Sequence, residues 1–373
     1  MPTDTNITPQ PPTSSPLGFH TLTVGSIREL TDDAIEIGFS VPEHLVDAYR
    51  HQHGQHLTLK LTIDGEELRR SYSITSAVGD DRLCIAVKRV PGGRSSVWLT
   101  TELAVGDQLE VMTPAGRFSA PLDASATRHW LLIAAGSGIT PILSIARSVL
   151  SGEPQSRVTL LYGNRDAASV MFQRELDDLK STCMTRFAVH HFLSRGRRNL
   201  ELFDGRIDGS RLTRVFESLV AVDDVDLTFV CGPEQMTLDI LGTLTSLGIP
   251  RERIHMELFG TADTRAHAPH QTSPTSDQAE AIAQATIRLH GVERTIDMRA
   301  GERILDAALR NGMDVPYACA GGVCATCRAH LDSGSVTMNT NHALDDHEVA
   351  DGFVLTCQAT PDCDELRVDY DRA

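Results

Sequence analysis

The stretch "YACAGGVCATC", residues 317–327, sets three thiols into nine positions, and Cys357 follows Cys327 after 29 intervening residues. Thiols this crowded can close a disulfide, hold zinc or ligate an iron–sulfur cluster. Far upstream, Arg70-Ser71-Tyr72-Ser73 puts a cation two residues from an aromatic ring, and Gly136-Ser137-Gly138 opens a bare backbone turn. A ring beside a cation suits a flat cofactor and its phosphate, and a glycine turn lets backbone approach a phosphate closely. No motif offers a nucleophile with its base, so the chemistry expected is that of bound cofactors.

The rest of the chain narrows these choices. At 373 residues with 41% apolar content it is long enough for two or three cores. A formal charge of −16 opposes nucleic-acid binding, and most of that charge is expected simply to solvate the surface. The opening "MPTDTNITPQPPTSSP" has neither a basic start nor an apolar run and reads as a disordered polar tail. The longest uncharged stretch, Trp130 to Ala146, is short for a membrane span and is interrupted by Gly136, Gly138 and Pro141. A cytoplasmic protein without membrane or nucleic-acid partners is the expectation. Disulfides are rare there, so the eight cysteines should be thiols or metal ligands.

Three cadences divide the sequence. Over 17–122, short β-branched runs such as "HLTLKLTIDG", "RSYSITSA", "RLCIAVKRV" and "DQLEVMTPAG" predict an antiparallel β-barrel. Over 123–260, apolar strands ("HWLLIAAG", "RVTLLYGN", "TRFAVHHFLS", "LTFVCGP") alternate with helical stretches such as "DAASVMFQRELDDLK" and predict a parallel α/β sheet. Residues 261–281, rich in Thr, Ser, Pro, Ala and His, read as a flexible linker. The last block, 282–373, contains fifteen Asp/Glu, eight Arg and no lysine.

Cys319, Cys324 and Cys327 follow C-x4-C-x2-C, which is the spacing of a plant-type [2Fe–2S] loop. Zinc usually asks for paired knuckles, and only one CxxC exists here. Gly321-Gly322 would let the loop turn tightly and aim N–H groups at sulfur. "GERILDAALRNGMDVPYAC" and "GFVLTCQATP" resemble plant-type ferredoxin domains, which implies a β-grasp α+β fold with Cys319, Cys324, Cys327 and Cys357 as ligands. Cys363 falls outside that pattern.

On a strand Arg70 and Tyr72 point the same way, and Ser95 or Ser96 in "PGGRSSVWLTTEL" could cap a helix whose free N–H groups accept a pyrophosphate. A solvated strand edge and an ordinary capped helix are the plain alternatives. Together these segments resemble the R-x-Y-S and G-x-x-S signatures of the ferredoxin–NADP reductase superfamily, and "PAGRF" falls where that family closes its barrel. The resemblance implies FAD, with FMN as alternative: Tyr72 on the ring, Arg70 on phosphate and Ser73 near flavin N5. Lys88, Gly93, Ser95 and Ser96 complete the flavin-side candidates.

"LLIAAGSGITPILSI" reads as strand, glycine loop and helix, with Thr140 as N-cap and Pro141 as first helical residue. Gly136, Gly138, Thr140 and Pro141 resemble the superfamily's nucleotide loop. "VCGPEQM" resembles its C-G-P-x-x-M, which implies Cys231 beside the nicotinamide, with Gly232, Pro233 and Met236 around it. "HMELF" resembles its flavin-returning segment, placing Glu257 and Phe259 at the hydride-transfer site. Ser194-Arg195 falls where NADP-specific relatives carry a Ser-Arg pair, and Arg165, Arg197 and Arg198 are further cations for a 2′-phosphate, favouring NADPH over NADH.

The block order resembles reductase components of multicomponent oxygenases. The C-terminal block is most similar to the reductase subunit of the phenylacetyl-CoA epoxidase system, which implies a diiron oxygenase partner; ketosteroid 9α-hydroxylase reductases share the layout. A redox sensor and a zinc-stabilised flavoprotein are the competing classes.

Overall fold

The computed structural model describes residues 17–195, 201–259 and 281–372. The polar tail over 1–16, Arg197, Arg198 and nearly all of the linker lie outside the described residues.

The first unit is an antiparallel barrel. Its strands are β1 (Phe19–Thr31), β2 (Ala34–Ser40), β3 (His56–Ile63), β4 (Glu66–Ser73), β5 (Leu83–Lys88) and β6 (Gln108–Met112), in the order β4-β3-β6-β1-β2-β5. An antiparallel bridge between Ile74 and Ile85 joins the two edges and closes the sheet on itself. Alternating inward residues fill it: Leu22, Ile37, Leu57, Leu59, Ile85 and Val111 are fully buried in one cluster. Helix α1 (Arg94–Thr101) plugs the barrel with Leu99.

The second unit is a five-stranded parallel sheet: β7 (His129–Ala135), β8 (Arg157–Asn164), β9 (Phe187–Leu193), β10 (Leu227–Gly232) and β11 (Ile254–Leu258). Helices cover both faces, so strands such as β7 are apolar without alternation. The order β11-β10-β7-β8-β9 reverses direction at β7, and the crevice outside the β7 and β10 carboxyl ends is a topological switch point. Helix α2 (Ile139–Gly152) follows β7. The stretch "DAASVMFQRELDDLK" is not one helix. A capping box between Asp166 and Ser169 makes a short turn, and Phe172, at φ +60°, starts α3 (Gln173–Thr182) afresh. Burial of Val170, Met171 and Phe172 in the core under the sheet outweighs the local helical preference.

The third unit is a mixed β-grasp sheet. Strands β12 (Ala281–Leu289), β13 (Val292–Arg299), β14 (Arg328–Ser333), β16 (Phe353–Leu355) and β18 (Glu365–Asp369) pair in the order β13-β12-β18-β14-β16, with β12 and β18 parallel. Ala281, assigned to the linker from sequence, already begins β12. Strands β15 (Val336–Met338) and β17 (Ala359–Pro361) form a separate ribbon. Ile304, Leu305, Ala307 and Ala308 of the crossing helix (Ile304–Arg310) seal the core. The cysteine loop occupies the gap between that helix and β14.

Candidate functional site

Two glycines shape the switch-point crevice. Gly136 adopts φ +54°, and a Cβ on Gly138 would stand 2.1 Å from the Cys231 carbonyl oxygen, so the loop after β7 lies directly against β10. Gly232 likewise has the Met236 methyl 2.5 Å from its missing Cβ, and Pro233 is the N-cap position of the helix Glu234–Ser246. Thr140 does not cap. The turn Gly136–Gly138 runs straight into α2, making Gly138 the N-cap and leaving Thr140 inside the first turn. Its hydroxyl donates back to the Ser137 carbonyl (3.0 Å), and Pro141 is the third helical residue instead of the first.

On the barrel side neither serine caps α1; Gly93 holds the N-cap position. Ser96 Oγ accepts from the Val90 N–H (3.1 Å) and so ties the preceding glycine turn to the helix. Ser95 is 1% exposed, and its hydroxyl has no partner in the chain. An orphaned hydroxyl in the first turn of a helix with free N–H groups fits a pyrophosphate. Arg70 and Tyr72 sit on β4, both half-buried, with Arg70 Nη1 donating to the Arg69 carbonyl (2.8 Å). Lys88 and Arg165, drawn from different units, both pair with Asp33 (3.6 and 3.2 Å). Burial would raise Asp33, but the Thr31 hydroxyl and these two cations outweigh it and hold the carboxyl below its ordinary range. Nothing in the sequence pattern pointed to Asp33, because its partners are brought to it only by the fold.

Barrel and sheet meet at Ser73. Its hydroxyl donates to Glu257 Oε2 (3.5 Å), and Glu257 on β11 is the register partner of Cys231 on β10. Three of the four residues expected at hydride transfer therefore converge, and half-buried Phe259 follows β11 against the core of the parallel sheet. Burial pushes the Glu257 carboxyl up to about 8, with the Ser73 hydrogen bond opposing. Burial, with Glu257 adding, pushes the Cys231 thiol well above its ordinary value, so it is a neutral packing group. Ser194 and Arg195 continue the β8–β9 pairing: their N–H groups donate to the carbonyls of Asn164 (3.0 Å) and Arg165 (2.6 Å). Both Arg195 and Arg165 are exposed there.

The cysteine loop gathers its four thiols in two pairs, Cys319 with Cys324 and Cys327 with Cys357. Among the described residues no group of ligating side chains converges on a single-ion site. Four thiols brought together in this way fit a [2Fe–2S] cluster, which takes two per iron. The Gly321 and Cys324 N–H groups both donate to Cys319 Sγ (3.4 Å). The Cys324 thiol and these donors draw the Cys319 thiol down from its ordinary value. Gly322 needs φ +76°, and a Cβ there would meet the Thr340 carbonyl oxygen at 2.7 Å. Ala320 and Ala325 also take positive φ, a strain that residue types did not signal. Cys363 lies apart, its sulfur accepting from the Ser335 N–H (3.2 Å).

These features define a class: an oxidoreductase with flavin, nicotinamide and iron–sulfur domains in one polypeptide. The oxidoreductase FAD-binding domain matches residues 21–120, the oxidoreductase NAD-binding domain 132–241, and the 2Fe-2S iron–sulfur cluster binding domain 287–362. The chain belongs to the family of ferredoxin-reductase components of oxygenase systems. It is 44% identical over 354 residues to a subunit of the 1,2-phenylacetyl-CoA epoxidase of Escherichia coli (strain K12), covering 95% of this chain and 98% of that one. It is 34% identical over 367 residues to the ferredoxin reductase component of 3-ketosteroid-9-alpha-monooxygenase from Mycobacterium tuberculosis (strain CDC 1551 / Oshkosh), covering 95% and 98%. Among solved structures, phthalate dioxygenase reductase aligns with a TM-score of 0.56 at 25% identity, over 94% of this chain and 98% of that one. No helix among the described residues is long and apolar enough to cross a membrane.

Proposed function

We propose that this reductase takes electrons from NADPH and delivers them through FAD and the [2Fe–2S] cluster to a diiron oxygenase of the phenylacetyl-CoA epoxidase type. NADPH bound at the crevice would supply two electrons as hydride, FAD would take that pair, and the cluster would pass electrons on singly. The chain's own residues bind, orient and shield. Gly136, Gly138 and Gly232 keep the switch point clear of side chains, and the helix that starts after Pro233 offers its first-turn N–H groups there, where a pyrophosphate is favoured. Tyr72 and Arg70 take the flavin ring and phosphate, with Ser95 and the start of α1 completing the phosphate site.

The observation that carries this reading is the Ser73–Glu257–Cys231 convergence, which joins the flavin strand to the nucleotide crevice at one point. Preference for the 2′-phosphorylated nucleotide rests on Arg195 and Arg165 standing together at the β8–β9 ends. The partner assignment rests on 44% identity along almost the whole chain. Reconstitution tests both: with a phenylacetyl-CoA epoxidase oxygenase, NADPH oxidation should depend on phenylacetyl-CoA. Arg195→Ala should raise the KM for NADPH about tenfold while moving that for NADH little. Coupling only to a ketosteroid hydroxylase would reassign the partner, and equal KM changes would remove the NADPH preference.

A further inference from the structure

The iron–sulfur unit rests on the flavin barrel through contacts that the binding motifs leave unexplained. His56, at the start of β3, is 3% exposed, and its Nε2 lies 3.2 Å from Thr326 Oγ1. Thr326 stands between Cys324 and Cys327. Burial keeps the ring neutral at ordinary pH, so one ring nitrogen donates and the other accepts, and Nε2 shares a single hydrogen bond with the Thr326 hydroxyl in either tautomer.

The other end of the link is the flavin strand. His56 is the register partner of Ser73. Its backbone N–H and C=O are both exchanged with Ala115 instead (2.8 and 3.0 Å), so His56–Ser73 is a non-hydrogen-bonded pair, the closer of the two antiparallel pair types. The ring is boxed in as well: a Cβ on Gly116 would stand 2.8 Å from His56 Nδ1. Beside this link, Arg69 of β4, 5% exposed, donates to Asp314 Oδ1 (2.6 Å) and lies 4.4 Å over the Tyr317 ring. Arg117 pairs with buried Glu348. Barrel cations thus meet carboxylates of the iron–sulfur unit around one neutral hydrogen bond.

We propose that His56 is a positioning residue that locks the cluster loop against the flavin strand through Thr326, setting the gap an electron crosses from reduced flavin to oxidised cluster. This rests on the reading that flavin sits at Ser73 and the cluster at the four cysteines. A loop tied to the partner strand between two of its cysteines keeps one separation; released, it samples longer ones, and passage slows.

The test compares holoprotein with His56→Leu, which removes the hydrogen bond, and His56→Gln, whose amide can restore it. Hydrogen–deuterium exchange is read on the oxidised protein over 319–327 and 54–57. Anaerobic stopped-flow with NADPH then separates flavin bleaching from cluster bleaching. Exchange in both segments should rise about tenfold in His56→Leu, the effect of losing one buried hydrogen bond. Cluster bleaching should slow about as much while flavin bleaching keeps its rate, and His56→Gln should restore both. Wild-type exchange and cluster bleaching in His56→Leu would overturn the proposal. If His56→Leu does not fold, Thr326→Val breaks the same bond from the other side, and unchanged exchange at 54–57 overturns it equally. A wild-type cluster that never bleaches would instead refute the electron route, leaving the exchange result to judge the lock by itself.

Discussion

On the proposed function, Glu257 is the residue whose protonation bears most directly on turnover. Its carboxyl titrates near 8 against an ordinary 4.5, so the folded protein holds that proton where the unfolded chain has lost it. The sign follows: its contribution to stability is full below about 4.5 and declines as pH rises through about 8. Hydride departure leaves a positive nicotinamide ring, which a nearby carboxylate stabilises and a neutral acid does not. Hydride transfer to flavin should therefore accelerate as pH rises through about 8. Glu257→Gln should flatten that profile and be roughly tenfold slower than wild type at high pH. Stopped-flow flavin bleaching across the range checks it, and an unchanged inflection in the variant would assign the titration elsewhere. Glu257 was legible in "HMELF" only by resemblance. Its raised carboxyl was not, since the burial comes from Ser73 and β10, far away in sequence.

At the scale of elements, the glycine loop after β7 depends on close contact more than on flexibility. Gly138→Ala would drive a methyl into the Cys231 carbonyl, which belongs to a strand paired on both sides and has nowhere to go. We expect a loss of about 1–3 kcal/mol and a raised nucleotide KM. Gly242, in the helix Glu234–Ser246, is the contrast: nothing lies within 4 Å of its absent Cβ, and its φ is ordinary. Gly242→Ala should stabilise by about 0.5–1 kcal/mol without changing KM. Thermal unfolding with steady-state kinetics reads both. Strands were the most legible elements, because β3 to β6 and β7 to β10 are written in continuous or alternating apolar runs. Helix starts were the least. Ser95, Ser96 and Thr140 are all residue types that cap, yet Gly93 and Gly138 take those positions because the preceding turns enter each helix two or more residues early. The break at Phe172 was likewise invisible, being decided by burial rather than local preference.

For the whole molecule, the sequence carried the three units and their order, while the way they touch emerged only in three dimensions. Asp33 joins Lys88 to Arg165, Ser73 joins Glu257, and His56 joins Thr326; each pair is far apart along the chain, and no short motif announces it. These contacts place nucleotide crevice, flavin strand and cluster loop in succession, which is the geometry a reductase of this family needs to turn a hydride into single electrons. The most direct test is an anaerobic visible and EPR titration of the purified protein with NADPH, together with metal analysis. FAD, iron and acid-labile sulfide are the expected contents. Flavin absorbance should bleach first, cluster absorbance second, and the EPR signal of a reduced [2Fe–2S] centre should then develop. Zinc in place of iron, or a flavin that bleaches while no cluster signal develops, would contradict it.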